Sequence, residues 1–478
     1  MDKLFKLKEN GTTVKTEIVA GLTTFMTMAY IIALNPNLLT GFGANGGQGL
    51  WNGIFLATCI ASAIGMFVMA FVANKPFAMA PGMGLNSFFA FVIAQIVSIT
   101  NLSYTESFQA GLCIILIEGI IFVVLSIFNI RDKIVNAIPL GVRLGIGPAI
   151  GLMLMNIGLG SNAGIYSSAN GFTAPFYVMR DFFGSLTASF AKQSMAEGYS
   201  PMVLTVVTMF IGLFVIITLA HFKVKGAVIF GMLAASVIYW AGQAIFFHTN
   251  PFASLATANW LPPFKDMAEN TLFKFNFKAL PQIGWFTIIT LIITFCIIDM
   301  FDTIGTLVGT AAKANMLDEE GNMPQMKEAL LSDAVGTVAG ACTGTSTVTT
   351  FVESASGVEA GGRTGLTALT TGIVFLLCMF ISPIAAIIPS AATSSALIYV
   401  GILMLSGLKK IDFDDITQTA PVFIMLLAMP VSGSIGHGIG LALITYTVIK
   451  LCTGKGKEVS VLTYILSAIF LVKFFLAL

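Results

Sequence analysis

Long apolar runs recur along nearly the whole chain of 478 residues, and they limit the fold more than any other feature. A helix that crosses a bilayer needs about 20 mainly apolar residues, and more than a dozen such runs occur here. Only 10% of the residues are charged, whereas a soluble protein carries about 25%. The chain is therefore predicted to be an all-α polytopic membrane protein.

Hydropathy predicts fourteen membrane spans. They cover 17–39, 53–74, 78–97, 106–129, 135–158, 202–221, 226–247, 284–312, 325–342, 345–359, 364–387, 391–408, 417–431 and 434–450. A last apolar stretch, 461–478, either spans the membrane or lies along its surface with Lys473 extending to the interface. The first residues contain no short apolar region followed by a cleavage site, so no cleaved signal peptide is expected.

The protein is expected in the cell membrane, and the distribution of Lys and Arg predicts that its N-terminus is cytoplasmic. If the N-terminus lies inside and the spans alternate, most basic residues fall in inside segments. The basic residues of the outside segments all fall in two long loops, 159–201 and 248–283. An excess of Lys and Arg in short loops marks the cytoplasmic side, so this orientation is favoured.

Two stretches of the chain resemble each other and indicate an internal repeat. Gly151 follows Pro139 by twelve residues, and Gly401 follows Pro389 by twelve residues. Seven spans in each half is an odd number, so the second half must be inverted relative to the first. A 7+7 inverted repeat is typical of secondary transporters, whose site lies near the membrane midplane.

Two predicted spans, the third and the tenth, are interrupted. FAMAPGMGLNSFFAF (77–91) contains Pro81, Gly82 and Gly84, which disfavour a continuous helix. TGTSTVTTF (343–351) is rich in β-branched residues, which favour a strand. Extended backbone inside a membrane needs hydrogen-bond partners, so we expect two short antiparallel strands that pair, each followed by a half-helix pointing at the protein centre. Two kinked helices with glycines for close packing are the alternative.

Ionisable or strongly polar side chains are rare inside the predicted spans, and each is a functional hypothesis. They are Asn86, Glu118, Arg143, Asp299, Asp302, Asp333, Glu353 and Glu359. For three of them a structural role is favoured: Glu118 binding a neighbouring helix, Arg143 extending to the inner surface, and Asp333 capping or pairing near that surface.

The remaining polar groups suit a flat, polar heterocycle. Asp299 and Asp302 lie on neighbouring faces of one helix, so either both face a shared cavity or one anchors the opposite domain. Asn86 and Glu353 lie at equivalent strand-to-helix junctions, and the backbone donors of its half-helix are expected to hold the Glu353 carboxylate. Carboxylates accept hydrogen bonds from ring N–H groups, and an amide offers a donor beside an acceptor. An acid that alternates between charged and neutral forms, Glu353 or Asp302, would couple transport to H⁺.

Other classes of protein fit less well. An intramembrane aspartyl protease needs acids on two helices and a GxGD motif, whereas here the closest acids share one helix and no GxGD occurs. An inorganic anion is disfavoured as cargo by the acids, and a channel is disfavoured by the repeat. We therefore expect a transporter and no enzyme activity.

Four motifs resemble the AzgA-like purine permeases for guanine, hypoxanthine and adenine, a branch of the nucleobase–cation symporters (the nucleobase–ascorbate transporter family). They are GLTTFMTMAYIIALNP, MAPGMGLNSFFAF, DMFDTIGT and TFVESASGVEAGGRTGLTAL. The resemblance begins near residue 10 and continues to the C-terminus. It implies a core domain (10–130 and 283–388), a gate domain (131–250 and 389–452) and a C-terminal apolar helix (459–478).

The resemblance also implies a function. It implies purine uptake with H⁺ as the coupling ion, an elevator-like movement of core against gate, and a homodimer through the gate domain. No other cofactor is expected, and no metal, because the six cysteines are scattered and form no CxxC or Cys/His cluster. We expect contact with membrane lipid and none with nucleic acid. Uracil, xanthine or an inorganic anion stays open as alternative cargo, and the preferred purine is undecided.

By motif, the resemblance assigns site residues. The family's polar binding positions match Asn86, Asp299, Asp302 and Glu353, and its substrate-facing strands match the backbone near Met83, Gly84 and Val352. Proton coupling is assigned to Glu353 and Asp302. Thr303, also placed at the substrate, lies one turn after Asp299 where uracil permeases have a histidine, so a histidine-assisted proton relay is not expected.

Overall fold

The computed structural model describes residues 2–41, 43–128, 138–162, 199–313, 316–317 and 323–476, and most of these residues are helical. The first half contains α1 Asp2–Phe5, α2 Val14–Met28, α3 Ile31–Leu39, α4 Gly47–Val68, β1 Met79–Pro81, α5 Met83–Ile99, α6 Tyr104–Ile127, α7 Leu140–Ile157, α8 Tyr199–His221 and α9 Ala227–Phe246. The second half contains α10 Phe264–Asn270, α11 Leu280–Ile283, α12 Trp285–Lys313, α13 Met326–Thr343, β2 Val348–Thr350, α14 Ser354–Glu359, α15 Gly365–Leu377, α16 Ser382–Ala386, α17 Ser390–Met404, α18 Ile416–Ser432, α19 Ile435–Cys452 and α20 Val461–Leu476.

Ten helical stretches among the described residues are long and apolar enough to cross a membrane. Three shorter apolar helices accompany them, namely Met83–Ile99, Ile416–Ser432 and Val461–Phe475. The predicted polytopic helical fold is thus observed, with fewer full-length spans than fourteen. The predicted spans 78–97 and 345–359 each contain a strand, and α13 carries three charged residues within 18. Most of the predicted loop 159–201 and the beginning of the predicted span 135–158 lie outside the described residues.

The helices pack in two groups. In one group, α13 packs against α4 and α6, and α15 packs against α2 and α4. In the other, α7 packs against α17 and α18, and α8 packs against α9 and α17. The two strands and the half-helix α14 belong to the first group, because β1 contacts α4 and α14 contacts α2. The candidate site is therefore built mainly on the first group.

Helices α7 and α17 approach each other backbone to backbone at two glycines. A Cβ on Gly151 would lie 2.6 Å from the carbonyl oxygen of Gly401, and a Cβ on Gly401 would lie 2.5 Å from the carbonyl oxygen of Gly151. Small residues at helix interfaces permit such close approach inside membranes. The two glycines that the sequence pairs by repeat are thus in direct contact.

The C-terminal helix α20 runs antiparallel along α19. Thr447 and Ser467 share a hydrogen bond of 2.9 Å between their hydroxyl oxygens, and the rings of His437 and Phe474 pack edge to face. Lys473 is buried, with 6% of its surface exposed. Helix α20 therefore packs its lysine against the protein.

Candidate functional site

The two interrupted segments meet as crossed, paired strands. The pairing is antiparallel, with Met79 opposite Thr350 and Pro81 opposite Val348. All six strand residues are buried. Beyond the strands, Gly82 N–H donates to the Thr347 carbonyl oxygen at 3.1 Å. The prediction of two short paired strands, each followed by a helix, is confirmed, because pairing satisfies backbone groups that no water reaches.

Asn86 binds the strands through both ends of its amide. Its Nδ2 donates to the carbonyl oxygen of Pro81 at 3.2 Å, and its Oδ1 accepts a hydrogen bond from the Ser346 hydroxyl. The side chain is fully buried in the first turn of α5. Asn86 thus joins the end of β1 to the residues that precede β2.

Glu353 lies at the N-terminus of the half-helix α14 and binds a tyrosine. The Tyr30 hydroxyl donates to Glu353 Oε1 at 2.7 Å. Of the backbone donors expected to hold this carboxylate, the N–H of Glu353 itself does so, whereas the side chain makes no capping hydrogen bond to α14. Its backbone is in the right-handed helical region (φ −62°, ψ −17°), whereas a capping side chain normally needs an extended backbone.

Asp302 reaches strand β2 from helix α12. The Thr349 hydroxyl lies 3.5 Å from Asp302 Oδ2, which is long for a hydrogen bond. Gly82 lies beside the pair, since a Cβ there would sit 2.8 Å from Thr349 Oγ1 and 3.3 Å from Asp302 Oδ2. A side chain at residue 82 would therefore separate Asp302 from the strands.

Asp299 belongs to a buried chain of oxygen atoms. Thr303 Oγ1 lies 3.2 Å from Asp299 Oδ1 and 2.8 Å from Asp333 Oδ1. All three side chains are fully buried. A hydroxyl has a single proton to donate, so both contacts are hydrogen bonds only when one of the two carboxyl groups carries a proton. A protonated Asp333 donating to Thr303, which in turn donates to Asp299, satisfies the chain, and so does the reverse order with a protonated Asp299.

The other predicted residues lie around the same strands. Met83 is buried at the start of α5, and a Cβ on Gly84 would contact Ile150 of α7 at 3.0 Å. Val352 follows β2 with 51% of its surface exposed. Glu118 accepts a hydrogen bond of 3.0 Å from Thr347, so it binds the segment before β2. Asp333 lies fully buried inside α13, so of its two predicted roles capping is wrong, and it pairs instead with Thr303 of α12.

Several hydroxyl-bearing residues of the site were not predicted from the sequence. Tyr30 lies 323 residues from Glu353 in the chain, and nothing local distinguishes it from the other aromatic residues of apolar helices. Ser346 and Thr349 belong to the run TGTSTVTT. Each hydroxyl of a run inside a membrane segment needs a hydrogen-bond partner. That requirement could have indicated that these residues contact other polar groups of the site.

Interrupted membrane segments that pair inside a helical membrane protein, each leading into a helix that starts beside a half-buried acid, are typical of a membrane transporter. The transmembrane domain of the cyanobacterial bicarbonate transporter BicA has the same fold, with a TM-score of 0.58 at 14% identity, covering 88% of this chain and 97% of that domain. The profile of the permease family Xan_ur_permease matches residues 15–196 and 178–434. The chain belongs to this permease family; it is an integral membrane permease and not an enzyme.

Two relatives are similar over nearly their whole length. The adenine permease AdeP of Escherichia coli (strain K12) is 36% identical over 473 residues, which cover 99% of this chain and 95% of AdeP. The guanine/hypoxanthine permease PbuG of Bacillus subtilis (strain 168) is 36% identical over 481 residues, which cover 99% of each chain. The resemblance to purine permeases carried by the four sequence motifs is thereby confirmed.

Proposed function

We propose that this protein imports purine nucleobases across the cell membrane by proton symport. The observation that carries the proposal is the full-length similarity, at 36% identity, to both an adenine permease and a guanine/hypoxanthine permease. The site supports it chemically, because carboxylates, hydroxyls and an amide surround the crossed strands without a basic side chain among the contacts described above. Such a set accepts hydrogen bonds from ring N–H groups and disfavours anionic cargo.

The substrate is tested by uptake into cells that lack their own purine permeases and express this chain. We expect saturable uptake of labelled hypoxanthine or guanine, with adenine as a further substrate, and strong competition by unlabelled purines. Uracil and bicarbonate are the non-purine competitors, the latter because the BicA domain shares the fold, and xanthine is tested among the purines. If uracil or bicarbonate competes better than every purine, the purine assignment is wrong.

We assign Asp299 and Glu353 to the ring, the proton to Glu353, and a supporting role in proton coupling to Asp302. Asp299 accepts a hydrogen bond from Thr303, and a carboxylate can accept a further one from a ring N–H. Glu353 retains a second carboxyl oxygen beside the one bound to Tyr30. Asp302 is half-buried beside Thr349, where a proton gained or lost changes its contact with β2. Asn86, Met83, Gly84, Val352 and Thr303 are proposed to shape the same site.

The two acids of α12 are distinguished by Asp299→Asn and Asp302→Asn. Loss of a hydrogen bond to a charged group costs about 1.5–3 kcal/mol, so Asp299→Asn should weaken purine affinity by about one to two decades. Asp302→Asn should keep affinity closer to the wild type but reduce uptake driven by a pH gradient. Binding to purified protein and uptake into proteoliposomes separate the two effects. If Asp302→Asn weakened purine affinity more than Asp299→Asn did, the two roles would be exchanged. Asp302, which contacts β2, would then be the purine ligand.

The movement and topology remain proposals. The contact between Gly151 and Gly401, which are equivalent in the sequence repeat, supports a 7+7 inverted repeat, because a pseudo-two-fold axis passes where equivalent positions meet. The two groups of packed helices support core and gate domains with the boundaries 10–130, 131–250, 283–388 and 389–452. We propose an elevator-like movement between them, a cytoplasmic N-terminus, and a lipid-embedded homodimer through the gate.

A further inference from the structure

Glu17 of helix α2 holds the start of helix α15. Its Oε1 accepts a hydrogen bond from Arg363 N–H at 2.8 Å, and its Oε2 accepts from the N–H groups of Thr364 and Thr367, both at 3.2 Å. The Thr367 hydroxyl donates to the same oxygen at 2.6 Å. Glu17 is fully buried. Its negative charge is therefore stabilised by the unpaired donors and the positive end of the α15 dipole.

Arg363 acts at the end of the preceding half-helix. Its Nη1 donates to the carbonyl oxygens of Val358 and Gly362, each at 2.7 Å. A cation beside the last carbonyls of a helix stabilises that end. The turn between α14 and α15 thus has a cation at the C-terminus of the first helix and an anion, from α2, at the N-terminus of the second.

Helix α2 and the residues after it also bind the other end of α14. Thr27 Oγ1 lies 2.8 Å from Ser356 Oγ, and the Tyr30 hydroxyl donates to Glu353. Between these ends the two helices touch at Gly357, where a Cβ would lie 2.8 Å from the Ala20 carbonyl oxygen. Glu17 and Tyr30 are thirteen positions apart, a separation of roughly 20 Å along a helix. Helix α2 and the turn that follows it therefore fix both ends of the segment that carries Glu353.

The half-helix depends on these contacts for its position. It contains six residues, and helices shorter than about 12 residues are marginal without tertiary contacts. A loss of either charge loosens the turn after α14, so the whole half-helix, with Glu353 at its N-terminus, shifts against α2. A shift below one ångström is enough to misplace a carboxylate that binds a ring N–H.

We propose that Glu17 and Arg363 are positioning residues that set where Glu353 lies against the bound purine. The proposal rests on the proposed function, because it takes Glu353 as a purine ligand. Neither residue is proposed to touch the substrate. Their effect is on affinity and not only on stability, and it passes through Glu353.

The test uses the full-length purified protein in nanodiscs, with binding of labelled hypoxanthine and adenine and thermal unfolding measured together. Glu17→Gln and Arg363→Gln are expected to raise the dissociation constant about tenfold in protein that remains folded. The control is Glu106→Gln, because Glu106 also serves a helix start, accepting from Ser103 N–H at 2.9 Å in α6. The control should leave the dissociation constant unchanged. A lower unfolding temperature with unchanged affinity in both variants would reduce the two residues to structural roles.

A double-mutant cycle with Glu353→Ala tests whether the effect passes through Glu353. Once the Glu353 side chain is absent, Glu17→Gln has no carboxylate to misplace and should change the dissociation constant less than twofold. A tenfold effect that persists in the Glu353→Ala background would overturn the positioning role. Normal affinity in Glu353→Ala alone would instead refute Glu353 as a ligand, which is a failure of the proposed function.

Discussion

Glu353→Gln should abolish purine accumulation driven by a pH gradient while retaining purine binding. The amide resembles a permanently protonated acid: its oxygen still accepts from Tyr30, which lies 2.7 Å from Glu353 Oε1, and its NH₂ group replaces the proton. A side chain that cannot release a proton cannot use the gradient. With one proton per purine, a pH unit corresponds to about 1.4 kcal/mol, or tenfold accumulation, and the variant should show none.

Exchange separates a loss of coupling from a loss of transport. Proteoliposomes loaded with unlabelled hypoxanthine should still take up labelled hypoxanthine through Glu353→Gln, because exchange needs binding and movement but no net proton transfer. Glu359→Gln is the matched control, since this exposed acid ends the same half-helix, and it should accumulate normally. If Glu353→Gln accumulates purine with normal pH dependence, the proton is carried by another group, with Asp302 the first candidate.

The crossed strands were predictable because their local signals are strong. Pro81 and Gly82 disfavour a helix, and the β-branched run 347–350 favours a strand. Extended backbone in a membrane must pair, so two such segments predict one another. The antiparallel register pairs Ala80 with Thr349. It could not be predicted from the sequence, because both segments are short and buried on both faces, so no polar face fixes the pairing.

Contacts between distant residues were not predictable. Tyr30 and Glu353 are joined by the packing of α2 against α14, and no periodicity in either segment encodes that partner. The same holds for Asp333, which the sequence placed near a surface because α13 begins with charged residues. The structure instead turns it towards Thr303 in the interior. Sequence patterns give the face of a helix, while the opposing helix decides whether that face meets solvent, lipid or another acid.

The functional acids could be identified from the energetic cost of placing a charge in a membrane more than from a sequence motif. A charged side chain at the membrane centre costs about 2.5–3.5 kcal/mol on insertion scales, so each acid retained there needs a reason. Asp299, Asp302 and Glu353 were identified in this way. Glu17 was not, because it lies near the start of its span and looks like an ordinary interfacial charge. Its burial and its bonds to α15 emerge only from the fold.

The second large effect is expected at the glycine contact between α7 and α17. Helices in a membrane gain little from apolar burial against each other, so close packing at small residues contributes much of their association. Here the obstacle to any side chain is a backbone carbonyl, 2.6 Å from a Cβ on Gly151. A backbone atom cannot rotate away as a side chain can, so the two helices must separate.

Gly151→Ala and Gly401→Ala should therefore each destabilise the protein by about 3 kcal/mol, the upper part of the usual range for overpacking. Gly147→Ala is the matched control on α7, because no atom lies within 4 Å of a Cβ there, and it should be neutral or slightly stabilising through helix propensity. Thermal unfolding of the purified variants measures the effect. Since each glycine contacts the other's carbonyl, the two substitutions should have similar effects. A large loss in one variant with none in the other would contradict the symmetric contact and, with it, the inverted repeat.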